Sequence, residues 1–64
     1  MTREALIREL RALARKQNLT FEVFTERGKG SHYRVRFGDR ITTIQSGELS
    51  NLRVRTIKKQ LGIE

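Results

Sequence analysis

The apolar positions of the chain change their period twice. In residues 2–17, TREALIRELRALARKQ, Leu6, Leu10, Leu13 and Ala14 recur at helical spacing, and Ile7 widens the stripe. Thr2 suits the N-cap, Glu4 the positive first turn, and Arg15 and Lys16 the negative last one. Asn18 can end the helix. The period then falls to two. In LTFEVFTE, residues 19–26, Leu19, Phe21 and Val23 alternate with Thr20, Glu22 and Phe24, which predicts a half-buried strand. RGKGS, residues 27–31, is a glycine-rich turn. HYRVRF, residues 32–37, alternates again, with Tyr33, Val35 and Phe37 on one side and His32, Arg34 and Arg36 on the other.

Gly38 and Asp39 suit a two-residue hairpin with glycine at its first central position, and RITTIQ is the return strand. Such a loop sets Phe37 opposite Arg40, Val35 opposite Thr42 and Tyr33 opposite Ile44, with Ile41 on the face of Arg34 and Arg36. A three-residue loop would instead turn Ile41 toward the core; the shorter loop is the expectation. A second helix follows, capped by Ser46 or, preferably, Ser50. Val54, Ile57 and Leu61 form its stripe, flanked by Leu52. Lys58 and Lys59 suit its C-terminal end, and Gly62 is a good residue just past it, from which Ile63 can pack back toward Ile57.

The order helix, three strands, helix predicts one α+β domain over residues 1–64, a two-layer α-β-β-β-α sandwich. Two helices cover one face of a three-stranded antiparallel sheet and leave the other open. With 64 residues the core is thin, because a domain of this size buries only about 60% of the surface its unfolded chain exposes. The chain has no cysteine, so neither disulfides nor thiolate metal sites can staple it. One histidine and seven scattered carboxylates argue against a structural zinc site. No apolar run approaches the roughly 20 residues of a membrane span, and the start lacks the features of a secretory signal. A cytoplasmic protein without cofactor is the expectation.

Charge sharpens this outline. Lys plus Arg is 14 against 7 Asp plus Glu, a net charge of +7. The excess is uneven: residues 1–26 carry five basic and four acidic side chains, net +1, and residues 27–64 carry nine and three, net +6. A basic half on a small domain points to a polyanion, nucleic acid ahead of the alternative of a plain solvated basic surface. The one imidazole, His32, shares a strand face with Arg34 and Arg36 and follows a turn that carries Arg27 and Lys29. Gly30 and its neighbour Gly28 let backbone approach a ligand closely, and N–H groups in such a turn can meet a phosphate. RNA brings its own nucleophile, the 2′-hydroxyl. A neutral imidazole can take that proton near pH 7, and cations can stabilise charge at phosphorus. Ser31 has no carboxylate placed to complete a triad with His32. Phe21 and Phe24 are expected to pack, with base stacking the alternative role for Phe24. Arg53, Arg55, Lys58 and Lys59 read as a solvated helix face that could extend an RNA surface.

The element GKGSHYRV, followed by a short hairpin, TTI and a closing helix ending IKKQLGI, resembles the HicA toxins of bacterial toxin–antitoxin pairs. The resemblance runs from about Glu22 to Ile63; the first helix matches in position and amphipathic character only. It implies a fold related to double-stranded-RNA-binding domains, an mRNA-cleaving activity, and inhibition by a HicB-like antitoxin. It places the catalytic histidine at His32, with Gly30 and Ser31 at the other positions of the Gly-Ser-His element. Many HicA proteins leave the third strand through a segment with proline and a second histidine. IQSGELSN, residues 44–51, has neither, so the leaving group would take its proton from Lys29, Tyr33 or solvent. A non-catalytic RNA-binding module and a basic protein-interaction domain are the alternatives.

Overall fold

The computed structural model describes residues 1–25 and 32–63; the predicted turn at 27–31, with Arg27, Lys29, Gly30 and Ser31, lies outside them. Five elements follow in order: α1 (Arg3–Lys16), β1 (Phe21–Thr25), β2 (Tyr33–Phe37), β3 (Arg40–Ile44) and α2 (Asn51–Gln60). The strands form one antiparallel sheet in the order β1-β2-β3. The fold is therefore the predicted α+β arrangement.

Both helices are bounded by their own sequence. The Thr2 hydroxyl accepts from the Ala5 N–H at 3.2 Å, and the Ser50 hydroxyl accepts from the Arg53 N–H at 3.1 Å, which settles the cap of α2 on Ser50 rather than Ser46. Each helix ends in the same two-bond turn. After α1, Asn18 takes a left-handed φ of 58°, its N–H donates to the Arg15 carbonyl, and the Leu19 N–H donates to the Ala14 carbonyl. After α2, Gly62 has φ of 77°, its N–H donates to the Lys59 carbonyl, and the Ile63 N–H donates to the Lys58 carbonyl. These bonds satisfy carbonyls that a helix end would otherwise leave open. Because Leu19 completes the first of these turns, β1 starts at Phe21 and not at Leu19. Leu19 stays 40% exposed, with its side chain beside Gly38.

The hairpin has the shorter loop. Phe37 pairs with Arg40, Val35 with Thr42 and Tyr33 with Ile44. Gly38 has φ of 65°, and Asp39 is not among the positive-φ residues. Positive φ at the first central position alone matches a type II′ turn, whose twist suits a two-residue hairpin. The described residues form one core: Leu6, Leu10 and Ala14 of α1 meet Val35, Phe37 and Ile44 of the sheet, Ile57 of α2 and Leu61 just past its end. Leu49 joins it because the Leu49 N–H donates to the Met1 carbonyl at 2.7 Å and Thr2 bridges to Glu48, drawing the approach to α2 against the N-terminus. Thr42, buried on the inner face, donates its hydroxyl to the Gln60 side-chain oxygen. Leu52, predicted to flank the α2 stripe, is 72% exposed. Lys58, read from sequence as part of a solvated face, turns toward α1 and pairs with Glu9.

Candidate nucleic-acid interface

Alternation along β2 decides which side chains reach each face of the sheet. Val35 and Phe37 are buried and Tyr33 half-buried, all under the helices; Arg34 and Arg36 are exposed on the other face. His32 precedes β2 by one residue and is exposed. The helices cover one face only, so Arg34 and Arg36 belong to the open side, as their spacing predicts.

The strand register supplies their neighbours. Across the open face, Glu22 of β1, Arg36 and Ile41 of β3 form one row, and Phe24 of β1, Arg34 and Thr43 of β3 form the next. The two arginines on the central strand are thus a cationic stripe. Phe24, 45% exposed, stands on one side of it, and Ile41, 51% exposed, on the other. Arg36 is held along the surface: its Nε donates to the Gly38 carbonyl at 3.0 Å, and its guanidinium lies 3.7 Å from the Glu22 carboxylate. That carboxylate offsets part of the charge in its row. His32 lies just before β2, two residues along the chain from Arg34.

The inner face holds a contact that the sequence reading missed. The Arg3 guanidinium stacks over the Tyr33 ring, its carbon 3.6 Å from the ring centroid, and Arg3 is 7% exposed. A second stack, Arg11 over Phe21 at 5.4 Å, ties the middle of α1 to β1. Arg3 is three residues before Leu6 and seven before Leu10, so it lies on the buried stripe of α1, and that spacing is the signal that could have found it. The contact fixes the start of β2, next to His32. It also holds the Tyr33 side chain on the helix-covered face, across the sheet from Arg34 and Arg36, which argues against Tyr33 as the proton donor to a leaving group. Arg53, Arg55 and Lys59 are exposed but belong to the helix layer, across the sheet from Arg34 and Arg36. They therefore do not extend the open-face stripe. Among the described residues, no three His, Asp or Glu side chains gather where a metal ion could be held. Nor is any helix long and apolar enough to cross a membrane.

No family model matches this chain, and neither a curated protein nor a solved structure matches it.

Proposed function

We propose that this protein is an endoribonuclease that cleaves mRNA without a metal, the toxin of a cytoplasmic toxin–antitoxin pair, with His32 as the general base. The observation that carries this reading is the exposure of the chain's one imidazole at the head of a strand whose two arginines occupy the uncovered face of the sheet. The net charge of +7 and the resemblance of GKGSHYRV to the HicA element support it. His32 takes the proton of a 2′-hydroxyl, and the 2′-oxygen forms its bond to the adjacent phosphorus. The bond from phosphorus to the 5′-oxygen breaks, leaving a 2′,3′-cyclic phosphate on one fragment. The 5′-oxygen leaves with a proton from Lys29 or solvent. Arg34 is the nearer of the two strand arginines to His32 and stabilises the phosphorane charge; Arg36, tethered to Gly38 and Glu22, contacts the strand further along. A HicB-like acidic antitoxin covering this face would silence the enzyme.

The test compares wild type with His32→Ala on mRNA in the presence and absence of EDTA. Wild type is expected to cleave in both conditions and to leave cyclic-phosphate ends, while His32→Ala, folded by circular dichroism, leaves RNA intact. Equal cleavage by the two proteins refutes the assignment of His32. RNA that is bound but never cut by wild type identifies a non-catalytic binding module. Absence of RNA affinity even at low salt points to a protein-interaction domain.

A further inference from the structure

Four aromatic rings lie in this chain, three Phe and one Tyr. Phe21, Phe37 and Tyr33 sit on the inner, helix-covered face, at alternate positions of β1 and β2. Phe24 alone is turned out, onto the open face, directly opposite Arg34. A scattered apolar side chain on a surface needs no explanation. Phe24 is different in its setting, because its cross-strand neighbour is a cation and the strand it faces leads directly from the one imidazole.

We infer that Phe24 is a base-stacking residue and that the open face of the sheet binds unpaired RNA. The identity of the polymer rests on the function proposed above; the strandedness, and the choice of stacking over packing for Phe24, go beyond it. A phosphate drawn to Arg34 leaves its own nucleotide beside the Phe24 ring, and an aromatic face accepts any base whose faces are free. Bases within a duplex are already stacked on their neighbours and offer the protein only groove edges and backbone. A residue that needs a base face therefore selects single strands.

The chemistry of the face argues for RNA over a second protein. Protein interfaces bury a contiguous apolar core depleted in charge. Here Phe24 and Ile41 are separated by the two arginines of β2, so the apolar groups form no continuous patch, and each row across the face contains a cation. Cations beside an exposed aromatic ring suit a phosphodiester backbone and one of its bases.

The chain contains no tryptophan, so Phe24→Trp introduces a single indole reporter at the proposed contact. Placed in a His32→Ala background to keep RNA intact, its emission should be quenched by oligouridylate and far less by the same strand annealed to oligoadenylate. With Phe24 otherwise native in that background, Phe24→Ala and Phe24→Leu should each weaken oligouridylate binding about 5- to 100-fold, with little change for the duplex. Because Leu is apolar and tolerated in strands, it separates stacking from bulk hydrophobicity and from folding. Binding by Phe24→Leu at the unmutated level, or equal quenching by the duplex, overturns the inference. So does emission that changes with protein concentration in the absence of RNA, which would make a second copy the occupant. The two proposals fail separately. Phe24-dependent single-strand binding by a protein that cuts nothing leaves the stacking surface standing and removes the nuclease. Cleavage that is unchanged by Phe24→Ala and equal on duplex does the reverse.

Discussion

The Arg3–Tyr33 stack offers the sharpest test of how this small fold holds its site. An arginine in the first turn of a helix faces the positive end of the helix dipole, which costs roughly 0.3–1 kcal/mol when the charge is not compensated. Among the described residues, the Tyr33 ring at 3.6 Å and the Glu4 carboxylate at 3.4 Å compensate Arg3. Glu4 is 65% exposed at its side chain, so that ion pair is screened and contributes about 1 kcal/mol at most. The stack is desolvated, with Arg3 only 7% exposed, which puts it toward the upper end of cation–π strengths, about 2 kcal/mol. A double-mutant cycle of Arg3→Met, Tyr33→Leu and the pair isolates this contact from the others that each residue makes. Urea unfolding followed by far-UV circular dichroism should give a coupling energy of about 1–2 kcal/mol. Arg3→Met alone should lower Tm by about 4–16 °C, since 1 kcal/mol moves a domain of this size by about 4–8 °C. Coupling below about 0.5 kcal/mol, the scatter of independent sites, would refute the claim that this contact anchors the start of β2.

Two further outcomes probe the local geometry. Gly38→Ala should destabilise the fold by about 1–2 kcal/mol in urea, because the left-handed backbone at φ 65° penalises a Cβ. The added Cβ would meet Leu19 at an ordinary 3.7 Å, so crowding is not the cause, and a variant as stable as wild type would contradict the type II′ turn. Ser50→Ala should cost about 0.5–2 kcal/mol through loss of its bond from the Arg53 N–H, whereas Ser46→Ala should stay within about 0.5 kcal/mol; equal effects in thermal melts would contradict the cap.

What was legible in the sequence is what short-range geometry controls. Helical spacing from Leu6 to Ala14, two-residue alternation from Tyr33 to Phe37, and the cap at Ser50 each depend on atoms a few residues apart. The same holds for the β2–β3 register, because a two-residue loop leaves the strands no freedom to slip. Alternation likewise put His32, Arg34 and Arg36 on one face before any tertiary contact was known. The β1–β2 register is another matter. A longer, glycine-bearing connection joins those strands, so nothing local determines that Glu22 stands opposite Arg36 and Phe24 opposite Arg34. Only the packed sheet decides that, and with it the partial neutralisation of Arg36 and the aromatic beside Arg34.

The long, amphipathic cations mark the same boundary. A sequence reading assigns Lys58 to solvent and gives Arg3 no role at all, yet one crosses to Glu9 of the other helix and the other lies on the ring of Tyr33. Their apolar stems allow burial, and whether they are buried depends on what faces them across the fold. The sequence by itself determined the elements, their order and the residues sharing each strand face, because backbone sterics and side-chain period act locally. Tertiary structure alone decided which partners stand across β1 and which cations are spent inside the fold, because those outcomes depend on contacts between residues far apart in the chain.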